Sequence, residues 1–463
     1  MQQSDTLHRT AFLGTDDIFP LLLKMGIPAV VGMLVNALYN VVDSIFVGHW
    51  VSPLAIGALT IIFPIQMIVS ALAQAIGVGS ASVVSRRLGE KRPEEAARIV
   101  GSSYSWVFII NLVLVVLVYL FTDPILFLFG ARGEILNLAR DYLVTVTPGF
   151  FFFGISMAAN NLVRAEGSPR ASMAGMLIGA LLNCALDPLF IIAFGMGVKG
   201  AALATVISQI VAASYLMSLY LRRKSHISLS LPDFRPKPAQ LVESLVLGFP
   251  AFVQSAGMSI LALILNNSLA HYGGEDAVSV YGMINRLIML VIFPILGIAQ
   301  GFQPIVGYNY GAQNWKRVRR VIVVTLATVF VIALVAFASL MLFPSLFVML
   351  FTSEQSYIQM GSRVLRIMIL FIPLGALQII AATYFQSIGK RVQSILLGLS
   401  RQFLCLIPLV LILPRVLGLD GLWFAYPLAD LVSVVITSAL FLRELSHLGR
   451  STDGLEVAPS SAT

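Results

Sequence analysis

Gly26-Ile27-Pro28-Ala29 returns 222 residues later (248 − 26) as Gly248-Phe249-Pro250-Ala251. Leu88-Gly89 ahead of a basic stretch returns at the same shift as Tyr310-Gly311, and Gly167 between two apolar segments returns as Gly389. Gly197-Val198-Lys199-Gly200 returns as Gly418-Leu419-Asp420-Gly421, one residue closer. Four matches in order across most of the chain imply a duplicated half in the same orientation. Parallel repeats related by an axis along the membrane normal, with substrate handled between them, are a transporter arrangement.

The composition agrees. Over 463 residues, 58% are hydrophobic and 11% charged, with mean hydropathy +0.90. That is too few charges to cover a soluble globule, so the chain reads as an all-α polytopic membrane protein. Apolar runs of about 20 residues give spans near 18-47, 54-80, 98-121, 136-160, 170-194 and 198-221. The second half gives 241-270, 277-305, 319-343, 359-386, 391-413 and 421-442. Twelve spans imply two six-helix lobes, residues 1-221 and 241-445. The polar, proline-punctuated stretch 222-240 reads as a cytoplasmic linker, and 446-463 as a disordered tail.

Of the 30 lysines and arginines, only Arg132, Arg140, Lys199, Arg286, Arg363, Arg366 and Arg415 fall on the side opposite the termini. The positive-inside rule then places both termini in the cytoplasm, and the expected location is the cell's inner (plasma) membrane. The net charge of +8 reflects this topology and contact with anionic lipid, and no nucleic-acid partner is expected. An enzyme is not expected either, since no His-Glu-x-x-His or nucleophile elbow occurs. Nor is an ATP-driven pump, because there is no phosphate-binding glycine loop.

Acids within a bilayer are costly and need a reason. Asn36, Tyr39, Asn40 and Asp43 lie at i, i+3, i+4 and i+7, one stripe of the first helix. Asn183 and Asp187 share a face of the fifth. Thr205 on the sixth meets them at a depth of about 10 Å at 1.5 Å per residue. Two carboxylates with amides, a hydroxyl and a phenol form an oxygen-rich cluster able to hold Na+, or a proton shared between the acids. At a shift of 222 the stripe becomes Met258, Leu261, Ala262 and Leu265, and Asp187 becomes Leu409. The second half therefore lacks the acids. Its remaining intramembrane charges, Arg401 and Asp430, read as a structural ion pair.

At these residues the chain resembles the multidrug and toxic compound extrusion family. The resemblance rests on the run from Tyr39-Asn40-Val41-Val42-Asp43 to Gly48, on Arg164-Ala165-Glu166-Gly167 and on Asn183-x-x-Leu186-Asp187-Pro188. Gly200-Ala201-Ala202-Leu203-Ala204-Thr205 and Phe302-Gln303-Pro304 through Tyr310-Gly311 complete it, over about residues 18 to 443. It implies a monomer that exports small-molecule drugs and organic cations against an inward flow of H+ or Na+, with no other cofactor. Carried over, Asp43, Asn183, Asp187 and Thr205 are the cation site. Asn36, Tyr39, Asn40, Asn160 and Met176 line the cavity, and Pro28 is the hinge of the first helix. Helix seven beyond Glu243 lacks an acid, which resembles the prokaryotic subgroup that couples through the first lobe. The runner-up is a lipid-linked oligosaccharide flippase of the same superfamily.

Overall fold

Proline starts three of the six membrane helices of the first half, and glycine turns the chain after the fourth. Pro53, Pro93 and Pro169 each stand at or near the first position of a helix, where their missing N–H is not needed. Gly167 turns the chain at φ +93°, and its repeat partner Gly389 does so at +81°. Both lie in the left-handed region that glycine enters at little cost.

The computed structural model describes residues 2–51, 53–222 and 225–456. The membrane helices of the first half are α1 (Ile18–Trp50), α2 (Pro53–Gly89), α3 (Pro93–Leu120), α4 (Gly133–Ala165), α5 (Pro169–Asp187) and α6 (Gly197–Leu221). A π-helical segment, Pro188–Ala193, extends α5. In the second half α7 (Pro238–Gly274) and α8 (Asp276–Gly311) are separated at Gly274, whose φ is +68°. They are followed by α9 (Trp315–Leu342), α10, α11 (Arg391–Leu417) and α12 (Leu419–Glu456). α10 is a broken span, Gln355–Met368 and Ile372–Ser387, bent by 48°. α11 contains a π-helical segment, Ser400–Leu406. Eleven described helices are long and apolar enough to cross a membrane, and the bent pair makes a twelfth. The last helix runs to Glu456, through residues read from the sequence as tail, while 457–463 lie outside the described residues.

Packing divides the chain differently from its sequence halves. One compact unit comprises Met1–Leu13 with Pro28–Phe252, and the other comprises Gly14–Ile27 with Val253–Thr463. The lobes read as 1-221 and 241-445 therefore exchange the first parts of α1 and α7. The close approaches explain why. In the first unit, a Cβ on Gly248 of α7 would lie 1.7 Å from the Ala75 carbonyl oxygen of α2. In the second, a Cβ on Gly301 of α8 would lie 2.6 Å from the Gly26 nitrogen of α1. Gly26 and Gly248 are repeat partners, so one backbone-to-backbone packing occurs twice.

Within the first unit α4 is central and packs against α2, α3, α5 and α6. Its Leu143, Val146 and Phe150 join Ala58 and Ile62 of α2 and Ala201 of α6 in one buried apolar cluster. The linker is ordered on the same unit. Lys237 N donates to Ser102 Oγ (3.1 Å) and Ser105 Oγ donates to the Phe234 carbonyl (2.5 Å), both serines lying on α3.

The turn between α4 and α5 holds the linker's other end. Glu166 is fully buried and accepts from Ser225 Oγ (2.6 Å) and from Ile227 N (3.2 Å), while its carbonyl lies 2.7 Å from His226 Nδ1. Burial pushes the Glu166 carboxyl up to about 8, and burial also lowers His226.

Candidate functional site

Three helices of the first unit bring the sequence-predicted residues together. On α5, Asn183 Nδ2 is 3.5 Å from Asp187 Oδ1 and 3.3 Å from Thr205 Oγ1 of α6. Asp43 of α1 brings its carboxyl within hydrogen-bonding range of that of Asp187. Asp187 and Asn183 are buried, with 0% and 2% of their surface exposed. Thr205 Oγ1 returns its own proton to the Ala201 carbonyl at 3.1 Å, so it offers the cluster only lone pairs.

Donors are therefore scarce. Asp43 Oδ1, Asp187 Oδ2 and Asn183 Oδ1 are buried without a hydrogen-bond partner. Three orphaned acceptors around two facing carboxyls are unfavourable in a dry interior unless a positive charge is supplied. Two carboxyl groups can bond each other only when one carries a proton, and otherwise a cation must lie between them. The donor set of carboxylate, amide and hydroxyl oxygens suits a hard monovalent ion or a proton. It has no thiolate or imidazole for a transition metal, and among the described residues no cluster of His, Cys, Asp and Glu could hold one.

The cluster adjoins a cavity with about 110 Å³ open to water, room for several molecules. Asn36, Tyr39, Asn160, Met176, Asn183 and Thr205 line it, as the sequence reading expects. Asn160 Oδ1 accepts from Ser172 Oγ (3.0 Å) and its amide donates to the Ser156 carbonyl (3.0 Å), so it is a fixed wall. Asp43 and Asp187 do not line the cavity themselves. The side chain of Asn40 lies outside the described residues. Pro28 stands inside α1 where the chain passes from one packing unit to the other.

Two contributors were missed in the sequence. Tyr142 of α4 is buried, with its hydroxyl near Asp43, Thr205 and Asp187. Nothing in its setting beside Arg140 and Asp141 signals this, since the contact is between helices distant in sequence. Gln209 also lines the cavity, with its Oε1 buried and unpartnered. Here the signal was present: Thr205, Ser208 and Gln209 at i, i+3 and i+4 form a polar stripe on α6.

The chain as a whole matches the MatE family twice, over residues 28–189 and again over 250–412. It belongs to the MatE family. The two matches begin 222 residues apart (250 − 28), so the duplication is a property of the family domain. The chain is 28% identical over 413 residues to the multidrug export protein MepA of Staphylococcus aureus (strain NCTC 8325 / PS 47), covering 89% of this chain and 91% of that protein. Its fold is similar to that of an outward-facing multidrug resistance MATE transporter of the MOP superfamily (TM-score 0.89, 29% identity, 95% of this chain and 99% of that one). A MATE structure in the bent conformation is equally similar (TM-score 0.89, 29% identity, 96% and 99%). A multi-pass transporter, rather than an enzyme, is thus the frame for the polar cluster.

Proposed function

We propose that this chain is a secondary multidrug antiporter that exports lipophilic, mainly cationic drugs and organic cations in exchange for inward H+ or Na+. The observation that carries the reading is the surplus of acceptor oxygens at Asp43, Asn183 and Asp187, next to a cavity walled by Tyr39, Asn160 and Met176. The names of its staphylococcal relatives support the substrate class. In this reading Asp43, Asn183, Asp187 and Thr205 receive the ion, coupling runs through the first unit, and Pro28 is where α1 bends. The protein works as a monomer in the plasma membrane with both termini cytoplasmic, an orientation that the distribution of basic residues supports.

The mechanism follows from differential affinity. With both acids ionised the site attracts a cationic drug; an arriving proton or Na+ neutralises it and the drug leaves. A hundredfold change in affinity needs about 2.7 kcal/mol, which one carboxylate changing charge in a poorly solvated site can supply. The test is uptake of a fluorescent cationic dye into sealed inverted vesicles under a pH gradient or a Na+ gradient, each imposed alone. One gradient should drive accumulation, and accumulation under neither would overturn the antiport reading.

A further inference from the structure

The second unit contains a recess that the transport reading does not use. It opens at the end where α9 turns through residues 343–354 into α10, and it measures about 570 Å³. That lies within the range of about 300–1,000 Å³ found for small-molecule sites. Gln355, Gln359, Ser362, Arg363 and Arg366 line it. Their spacing of 4, 3, 1 and 3 puts all five on one stripe of the first arm of α10. The other face of that arm, Val364, Leu365 and Met368, is buried in the unit.

The charge in this recess is not balanced. Arg363 Nη2 pairs with Asp420 Oδ2 at 2.9 Å. Arg366 reaches only the Met341 carbonyl, at 3.4 Å from Nε, and no described carboxylate lies within ion-pair distance of it. Asp276 accepts from Tyr357 Oη (2.5 Å) and Glu354 from Ser356 Oγ (2.8 Å), and neither lines the recess. The lining itself therefore carries two guanidinium groups and no carboxylate, on a side of the chain where basic residues are otherwise few.

The margin of the recess is apolar. Met349 and Phe424 line it while 53% and 40% exposed, and Leu346 and Leu350 beside Met349 are 62% and 71% exposed. Arginines beside exposed apolar side chains suit a ligand with an acidic head and a hydrocarbon body. We propose that this recess binds the phosphodiester of an anionic phospholipid. Arg363 and Arg366 clamp the phosphate oxygens, Gln355, Gln359 and Ser362 bond the remaining head-group oxygens, and the acyl chains pass over Met349 and Phe424.

The experiment is lipid binding to purified full-length protein in detergent, followed by native mass spectrometry and by melting temperature. Phosphatidylglycerol should bind and raise the melting temperature, while phosphatidylcholine and inorganic phosphate should do neither. Arg363→Gln/Arg366→Gln should weaken phosphatidylglycerol binding about thirtyfold, at the usual contribution of each basic residue near a lipid surface. Arg363→Lys/Arg366→Lys should keep most of it. If the double glutamine variant does not fold, Arg366→Gln alone, at an exposed side chain, carries the same test. Unchanged phosphatidylglycerol binding in the glutamine variant would overturn the proposal. An equal melting shift with inorganic phosphate would make this a free-anion site and overturn the lipid assignment.

Discussion

The first unit sets Asp43 and Asp187 among oxygens that accept hydrogen bonds, whereas the second sets Asp430 against a cation. Arg401 Nε donates to Asp430 Oδ1 at 2.6 Å, and Ser433 Oγ donates to Gln378 Oε1 (2.8 Å), whose amide donates to Ser400 Oγ (3.3 Å). Tyr281 and Tyr426 pair their hydroxyls at 2.9 Å. The second network is neutral and mostly closed, so it holds helices together without an ion. The first leaves Asp43 Oδ1, Asp187 Oδ2 and Asn183 Oδ1 without a donor. Duplication supplied the same scaffold twice, and the acids of the first copy have apolar counterparts, Leu265 and Leu409, in the second.

The comparison breaks most sharply at the acids. On the proposed reading, Asp43→Asn and Asp187→Asn each keep size and folding but lower drug accumulation by on the order of 100-fold, measured as dye uptake in inverted vesicles. Wild-type accumulation in either variant would remove the cluster from coupling. The mirror test lies in the second unit. Asp430→Asn leaves Arg401 unpaired and should destabilise the protein by up to about 3 kcal/mol, the guanidinium being partly open. Arg401→Gln/Asp430→Asn should recover most of that in thermal unfolding, with the coupling ratio unchanged.

Glu166 supplies an intermediate case, a buried acid outside the membrane that does have donors. Burial raises its carboxyl from 4.5 to about 8 in the folded protein, against hydrogen bonds from Ser225, Ile227 and His226 that lower it. Folding around Glu166 is therefore favoured by the protonated form: that contribution is complete below about pH 4.5 and is lost as pH rises to 8, by at most about 1.4 kcal/mol per pH unit. The hydrogen-exchange protection of residues 225–237, corrected for the intrinsic pH dependence of exchange, should fall over that window in the wild type and stay flat in Glu166→Gln. The smallest effect is expected at Gln209→Leu, where losing one amide oxygen beside the site should weaken cation affinity about fivefold, near 1 kcal/mol. An unchanged affinity would limit the site to the residues around the two acids.

The helices were legible because a bilayer forces long apolar runs, and the repeat was legible because glycine and proline mark its turns. Packing between distant segments was not legible. Residues 18–27 read as part of the same apolar run as 28–47, and contacts such as those of Gly14 with Tyr308 and of Gly26 with Gly301 place 14–27 in the other unit. The bend at residues 369–371 and the π-helical segments after Asp187 and at Ser400 leave no hydropathy signal. Asp43, Asn183, Asp187 and Thr205 could be picked out because polar side chains are rare in such helices. Tyr142 could not, since a tyrosine in a membrane helix is ordinarily a packing residue.

The exchange at Pro28 and Phe252 has a consequence for how this protein can be made. A gene cut at the linker would yield two fragments, each missing a strip of its own globule and carrying its sibling's. Expressed alone, either fragment would present the bare glycine path along α2 or α8 to lipid. Expressed together, the fragments would have to thread their leading helices into each other before either became compact. Translation order then matters: the segment 14–27 is synthesised first and must wait for α8, more than 200 residues later, before it finds its neighbours.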